Sequence, residues 1–412
     1  MRVTPHPLIY DWNHDAAGPR PIAMLDDETL RDGLQSPSVR TPTIDEKIEI
    51  LHQMNGLGID TADVGLPGAG VHIARDVERL ARAIGDGKLQ IRANCAARTV
   101  VADIKPIVEI VQRTGVPIEC CTFIGSSPIR QFAEGWTIDY LQKCTDEALT
   151  FAAKEGLTTT YVTEDTTRAD PQSLRLLYTT AIRAGAARLC VADTVGHSTP
   201  NGAKAVVAFV KSLIAELGVD VGIDWHGHRD RGFGVASSLA ALEAGATRLH
   251  GAALGIGERC GNTPIDLLLV NLVMMGYRDN DLSGLPAYCE TVARACDVRI
   301  APNYPVVGAD AFRTATGVHA AAVVKAFRKN DRALMDAVYA AVPASLVGRQ
   351  QEIEVGPMSG RSNVVFWLES RGITASDEVV DRVFAAAKAS NRMLTHAQVQ
   401  AIVDGAAKPV KA

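Results

Sequence analysis

Two histidines two positions apart, His226-Gly227-His228, follow the apolar run Val221-Gly222-Ile223-Asp224-Trp225, which reads as a short buried strand. Alternate residues on a strand face the same way, so both imidazoles leave on one side. Two such imidazoles plus a carboxylate from another strand end are a common way to hold a divalent cation. A source for that carboxylate lies far upstream. Asp26-Asp27-Glu28-Thr29-Leu30-Arg31-Asp32-Gly33 packs four acids and one arginine into eight positions. Within it Asp32 offers a hard oxygen donor, and Arg31 beside it is suited to polarise a carbonyl or hold a carboxylate. A third segment, Gly255-Ile256-Gly257-Glu258-Arg259-Cys260-Gly261-Asn262, is a glycine-rich loop ahead of a helix opened by Thr263-Pro264. There Asn262 offers a carbonyl oxygen to a cation and Glu258 an acid or base, while Cys260 reads as a small packing residue. Each segment alone also has a plain reading: core histidines bonded to backbone, a solvated acidic loop, a tight turn.

The elements that must position these residues set the choice. From about residue 22 to 278, short β-rich runs alternate with longer amphipathic stretches such as Ile44–Leu57, Val71–Ile84 and Tyr140–Glu155. The strand candidates are Ile22–Leu25, Thr61–Val64, Gln90–Asn94, Ile118–Phe123, Thr159–Thr163, Arg188–Ala192, Val221–Trp225 and Arg248–Ala253. Eight β–α alternations in roughly 250 residues predict an α/β fold, a closed (β/α)8 TIM barrel, over an open sheet. Such barrels carry their chemistry at the C-terminal ends of the strands. The polar clusters fall there: Asp26–Asp32 after the first strand, Glu164-Asp165 after the fifth, Asp193-Thr194 after the sixth. His226 and His228 follow the seventh and Gly257-Glu258 the eighth. The expected organisation is a catalytic barrel with an N-terminal extension over residues 1–282, then a helical C-terminal subdomain over 283–412. Its clearest helices are Ala287–Cys296, Ala315–Arg328 and Asp377–Ser390, and the end, Gly405–Ala412, is expected to fray.

Composition narrows the class. Of 412 residues 47% are hydrophobic and 22% charged, with a formal net charge of -5, which argues against a general nucleic-acid or membrane surface. The eight cysteines show no CxxC spacing, so a reducing cytoplasm is expected and no disulfide framework. No signal-peptide-like apolar run opens the chain, and no stretch reaches the roughly 18 unbroken apolar residues of a membrane span.

Taken in order, Leu30–Gly33, the histidine strand end and Gly255–Asn262 resemble the DRE-TIM metallolyase superfamily. Within it the chain is similar to the Claisen-type acyltransferases, the 2-isopropylmalate, homocitrate and citramalate synthases. Gly255–Asn262 is the most specific piece, because the lyase branch carries a different sequence there. Thr316-Gly317-Val318-His319 and Gly356-Pro357-Met358-Ser359-Gly360-Arg361 resemble later segments of the same synthases, so the likeness spans roughly residues 22 to 370. It implies an enzyme, an acyl-CoA:2-oxo acid C-acyltransferase. Asp32, His226, His228 and Asn262 would ligate a divalent Mg, Mn or Zn that polarises a 2-oxo acid. Arg31 would bind the keto oxygen, and Thr194, in Asp193-Thr194-Val195-Gly196, the substrate carboxylate. The methyl of acetyl-CoA must lose a proton, and the resemblance gives that work to His319, helped by Glu258 and Glu164. His319 would reach over from the partner in a homodimer with exchanged C-terminal segments. Hydrolysis of the thioester would then release CoA.

Some positions depart from the family pattern. Asp27-Glu28-Thr29 stands where Asp-Thr-Thr is usual, and Gly33-Leu34-Gln35 resembles the lyase branch. A carbon–carbon lyase of the hydroxymethylglutaryl-CoA lyase type is therefore the second reading, and a catalytically silent binding homologue the third. Homocitrate synthases place an arginine four residues before the Glu-Asp pair; here that position is Thr160, and Val162 replaces a family serine. Without that arginine the distal carboxylate of 2-oxoglutarate would be buried unpaired, which is costly, unless Arg98 or Arg130 served instead. A monocarboxylic 2-oxo acid is the expected acceptor. The chain stops soon after the last matching segment, so feedback control through an added leucine-sensing domain is not expected.

Overall fold

Eight short parallel strands close on themselves in the computed structural model, which describes residues 6–10, 12–13 and 21–406. They are β1 Met24–Asp27, β2 Thr61–Asp63, β3 Arg92–Arg98 and β4 Ile118–Gly125, then β5 Thr159–Glu164, β6 Arg188–Asp193, β7 Gly222–Gly227 and β8 Arg248–Gly251. The ring is shut by β1 lying between β2 and β8, with Met24 opposite Arg248 and Asp27 opposite Gly251. The expected α/β barrel is the observed one. Strand ends shift by a few residues: Ile22 is exposed ahead of β1, and β7 runs on through His226. Most of the Gly405–Ala412 end lies outside the described residues.

Helices between the strands form where caps and apolar spacing agree. Thr43 opens helix Ile44–Gly56 with a reciprocal box, its hydroxyl accepting from the Glu46 amide while Glu46 accepts from the Thr43 amide. In helix Val71–Gly87, Val77, Leu80, Ala81 and Ile84 recur at three- and four-residue steps and are buried, while Arg75, Arg79 and Arg82 face out. Each large apolar side chain so buried stabilises the fold by roughly 1.5–3 kcal/mol. Among the described residues no helix is long and apolar enough to cross a membrane.

The barrel interior is not apolar throughout. Arg248 on β8 donates to Asp224 on β7 (2.8 and 2.6 Å) and to Glu119 on β4 (2.7 and 2.8 Å), and its Nη2 reaches Thr160 on β5 at 3.1 Å. Arg188 on β6 adds a second cation to Asp224 at 2.5 Å. These residues meet across the lumen, so positions 119, 160, 224 and 248 all point inward. Strand alternation then places Phe123, Val162, His226 and His250 in the next layers toward the mouth.

Contacts divide the chain between Arg299 and Ile300, and the described residues 6–10 and 12–13 group with the second unit. Helix Leu285–Cys296 goes with the barrel, where the Tyr288 hydroxyl donates to Asp27. The second unit has its own cores, one of Val364, Trp367, Leu368, Val380, Val383 and Val399, another of Ala320, Val323, Val324, Ile353 and Phe366. It also holds a two-stranded parallel pair, β9 Arg313–Thr314 and β10 Glu352–Ile353.

Candidate metal centre at the barrel mouth

The four acids at the end of β1 and just past it have separate jobs. Asp26 accepts from Thr61 (2.5 Å) and Asn94 (2.6 Å) inside the barrel. Asp27 accepts from the Thr29 amide at 2.9 Å and from Tyr288, and burial pushes its carboxyl up to about 7. Both hold the loop in place. Glu28 and Asp32 are the two that reach the histidines. Between them Arg31 donates to Asp63 and Asp32, each at 2.6 Å, which keeps its guanidinium charged in a buried setting.

His226 and His228 leave β7 on the same side, their rings edge to face at 5.2 Å. One ligand atom from each of Asp32, His226 and His228 lies within 4.8 Å of the others. Asn262 joins them through the backbone, pairing with His228 in an isolated antiparallel bridge. Its Nδ2 donates to the Ile256 carbonyl at 3.1 Å, which leaves Oδ1 buried without a partner. Asp32 Oδ2 is likewise buried and unpartnered, 3.6 Å from His228 Nε2. Orphaned buried oxygens are rare and call for an explanation. Burial, reinforced by the field of His226, lowers the His228 pKa to about 4, so its imidazole is neutral, as a metal ligand must be. Two oxygens and two imidazoles suit a divalent cation of the Mg, Mn or Zn kind, and the residues present fit it.

Loop Gly255–Asn262 is held by a backbone that tolerates no side chain at Gly261. Its φ is +94°, and a Cβ there would sit 1.9 Å from the Gly255 carbonyl oxygen. Gly261→Ala is expected to cost at least about 1–3 kcal/mol of stability and to displace Asn262. Urea melts and bound-metal content check this; a variant unchanged in both would refute the loop's positioning role.

The remaining expected residues are more scattered. Thr194 is half-buried at the end of β6, its hydroxyl accepting from the Asp165 amide at 2.8 Å, which leaves its own proton for a carboxylate. Glu164 ends β5 and accepts from Arg130 Nε at 3.2 Å. Glu258 is mostly exposed, and its nearest cation is the neighbouring Arg259 at 3.6 Å. His319 belongs to the second unit, exposed and stacked on Tyr339 with ring centroids 4.1 Å apart.

Thr160 stands at the position where homocitrate synthases carry their arginine. It lies on the lumen floor, bonded to Glu119 and Arg248, four residues below Glu164. On β5 the lining nearer the mouth falls to Val162, whose register partner on β4 is Phe123; both are half-buried. Neither alternative cation is spare: Arg98 chelates Asp103 at 2.7 and 2.8 Å, and Arg130 pairs with Glu134 at 2.6 Å as well as Glu164.

His250, Asp63 and Tyr339 were not singled out in the sequence. Period-two spacing from Arg248 points His250 into the lumen, so a signal existed for that one.

Residues 23–292 match the family model described as HMGL-like. The 2-isopropylmalate synthase of Pyrococcus furiosus is 32% identical over 387 residues, covering 92% of this chain and 74% of the relative. A homocitrate synthase of Methanopyrus kandleri is 32% identical over 375 residues, 88% of this chain and 86% of its own length. Among solved structures, the HMG-CoA lyase of Bacillus subtilis superposes with a TM-score of 0.55 at 20% identity, covering 67% of this chain and 94% of that one, a likeness of fold.

Proposed function

Because this chain belongs to the HMGL-like metallolyase family, in its branch of 2-isopropylmalate, homocitrate and citramalate synthases, we propose that it condenses acetyl-CoA with a monocarboxylic 2-oxo acid. The chemistry is a metal-dependent Claisen-type condensation, followed by thioester hydrolysis to a 2-alkylmalate-type acid and CoA. One observation carries the site: two buried, unpartnered oxygens, on Asp32 and Asn262, beside a neutral His228 and its partner His226.

In this reading Asp32, His226, His228 and Asn262 hold Mg, Mn or Zn, which supplies Lewis-acid polarisation of the keto carbonyl. Arg31, fixed by Asp63, donates to the keto oxygen as negative charge builds on it. Thr194 binds the acceptor carboxylate with its free hydroxyl proton. His319, from the partner in a homodimer with exchanged C-terminal segments, takes a proton from the acetyl methyl. The carbon left behind forms the new bond to the keto carbon. Glu164 and Glu258 assist that proton's passage, and a cytoplasmic setting suits the eight free cysteines.

The acceptor's side chain is set by Phe123 and Val162, two apolar neighbours on β4 and β5, with Arg98 and Arg130 both already paired. A distal carboxylate there would lose its hydration without gaining a partner. Purified protein given acetyl-CoA, Mn or Mg and a panel of 2-oxo acids is expected to release free thiol fastest with an apolar acceptor such as 2-oxoisovalerate or pyruvate. Faster release with 2-oxoglutarate would overturn the argument from Phe123 and Val162. Cleavage of a 3-hydroxyacyl-CoA with no thiol release would replace the synthase by a lyase. No turnover and no bound metal would leave a silent binding homologue.

A further inference from the structure

The geometry points to Glu28 as a positioning residue that fixes which nitrogen of His226 is offered to the cation, an inference that rests on the metal reading above. Glu28 lies just beyond the end of β1, its amide donating to the Gly251 carbonyl on β8 at 2.8 Å, so the barrel closure itself places it. Its Oε2 is 2.8 Å from His226 Nδ1 and its Oε1 is 2.9 Å from His250 Nδ1. A carboxylate only accepts, so Nδ1 of His226 carries the proton. When the ring gives up its other proton to take a cation, as a ligating histidine must, the lone pair is on Nε2, the nitrogen that Glu28 does not engage. A carboxylate behind a ligating histidine fixes ring and tautomer together and raises the ligand's basicity.

What holds Glu28 is the unusual part. The other nitrogen of His250 faces Asp224 Oδ2 at 3.1 Å, and Asp26 lies 3.5 Å from its Nδ1. With a carboxylate oxygen at each ring nitrogen, His250 is an imidazolium donating at both ends. Asp224 is itself clamped by Arg248 and Arg188. The chain of partners therefore runs from the lumen floor through Asp224, His250 and Glu28 to His226. It gives the metal-side ring an anchor that reaches through the barrel, in place of a water or a single loop contact.

Glu28, His226 and His250 also group closely enough to suggest a second cation site. The bonding speaks against it. Both Glu28 oxygens and both His250 nitrogens are engaged, and a second cation would have to displace protons from two imidazoles.

Mn binding by the full chain decides between these, followed by electron paramagnetic resonance of free Mn and by calorimetry, with apo melting temperatures as control. Wild type is expected to bind one Mn per chain. Glu28→Gln, which keeps the shape and loses the charge, is expected to weaken that affinity about 10–100-fold, with Glu28→Ala weaker still and the apo melting temperature not tracking the loss. Affinity equal to wild type in Glu28→Gln overturns the inference, as do two Mn per chain in wild type. Failure of both variants to fold overturns it too, by making Glu28 a residue of the fold. Wild type that binds no Mn brings down the metal reading instead, and this inference with it.

Discussion

Asp32→Ala is expected to lose the bound cation and at least about a thousandfold in kcat, while the metal-free protein stays as stable as wild type or gains slightly. Three decades correspond to about 4 kcal/mol of transition-state stabilisation, within what a Lewis-acid cation supplies. The unusual half is the stability. In the apo protein Asp32 Oδ2 is buried with no partner, a cost that alanine removes. The carboxylate's other oxygen is bonded to Arg31, which keeps Asp63 as a partner after the substitution. Calorimetric melts with and without Mn read both halves. Wild type should melt higher with Mn, by the equivalent of about 2.7 kcal/mol at a hundredfold excess over Kd, and Asp32→Ala should show no such shift. A variant that still gains stability from Mn would remove Asp32 from the ligand set. A large loss of apo stability would mean that Asp32 serves the fold.

Arg248→Met should be the most damaging change in the barrel interior, costing about 3–5 kcal/mol. The side chain is fully buried, and it is the cation shared by Glu119 and Asp224. Among the described residues, removing it leaves Glu119 with only Thr160 and leaves Asp224 to Arg188 and His250. A loss of that size is a large part of the 5–15 kcal/mol that a folded domain commonly has. Its pH dependence has a definite sign. Burial alone would raise the Asp224 pKa, but Arg248, His250 and Arg188 outweigh it and hold the carboxyl well below the usual range. The stability from that depression is present above the unfolded value near 3.9 and is lost as pH falls toward the folded one. Without Arg248 much of it is absent, so the gap between wild type and variant should be wide from neutral pH down to about pH 4 and narrow below it. Urea melts at pH 7, 4.5 and 3 measure it. A gap constant with pH would mean that lost packing, and not unpaired charge, is the cause. Adding Glu119→Gln and Asp224→Asn to Arg248→Met should recover much of the loss, since the three act as one network.

Much of the site was legible in the chain, and the reason is local. His226 and His228 are two apart, so strand geometry alone sends both rings one way, and β7 does run through His226. The helical stretches were visible for the same reason: in Val71–Gly87 the apolar residues needed to cover the barrel recur at helical spacing. Strand ends were off by a few residues because the edges depend on partners. β1 starts at Met24 because that residue has Arg248 opposite it on β8, a partner more than two hundred positions away in the chain.

By itself the sequence determined the eight-fold alternation, the polar residues at the strand ends, and the glycine-rich loop that presents Asn262. Each follows from periodicity or backbone freedom within a few residues. Only the tertiary structure decided which of the four acids between residues 26 and 32 reach His226 and His228, because Asp26 and Asp27 find Asn94 and Tyr288 on distant elements. It also decided that Thr160 sits on the floor and not at the mouth, and that Glu28 is bonded to a histidine 222 positions away. The physical reason is closure. Residues far apart in the chain become neighbours only when β1 meets β8, and a buried charge takes whichever partner that register brings within reach.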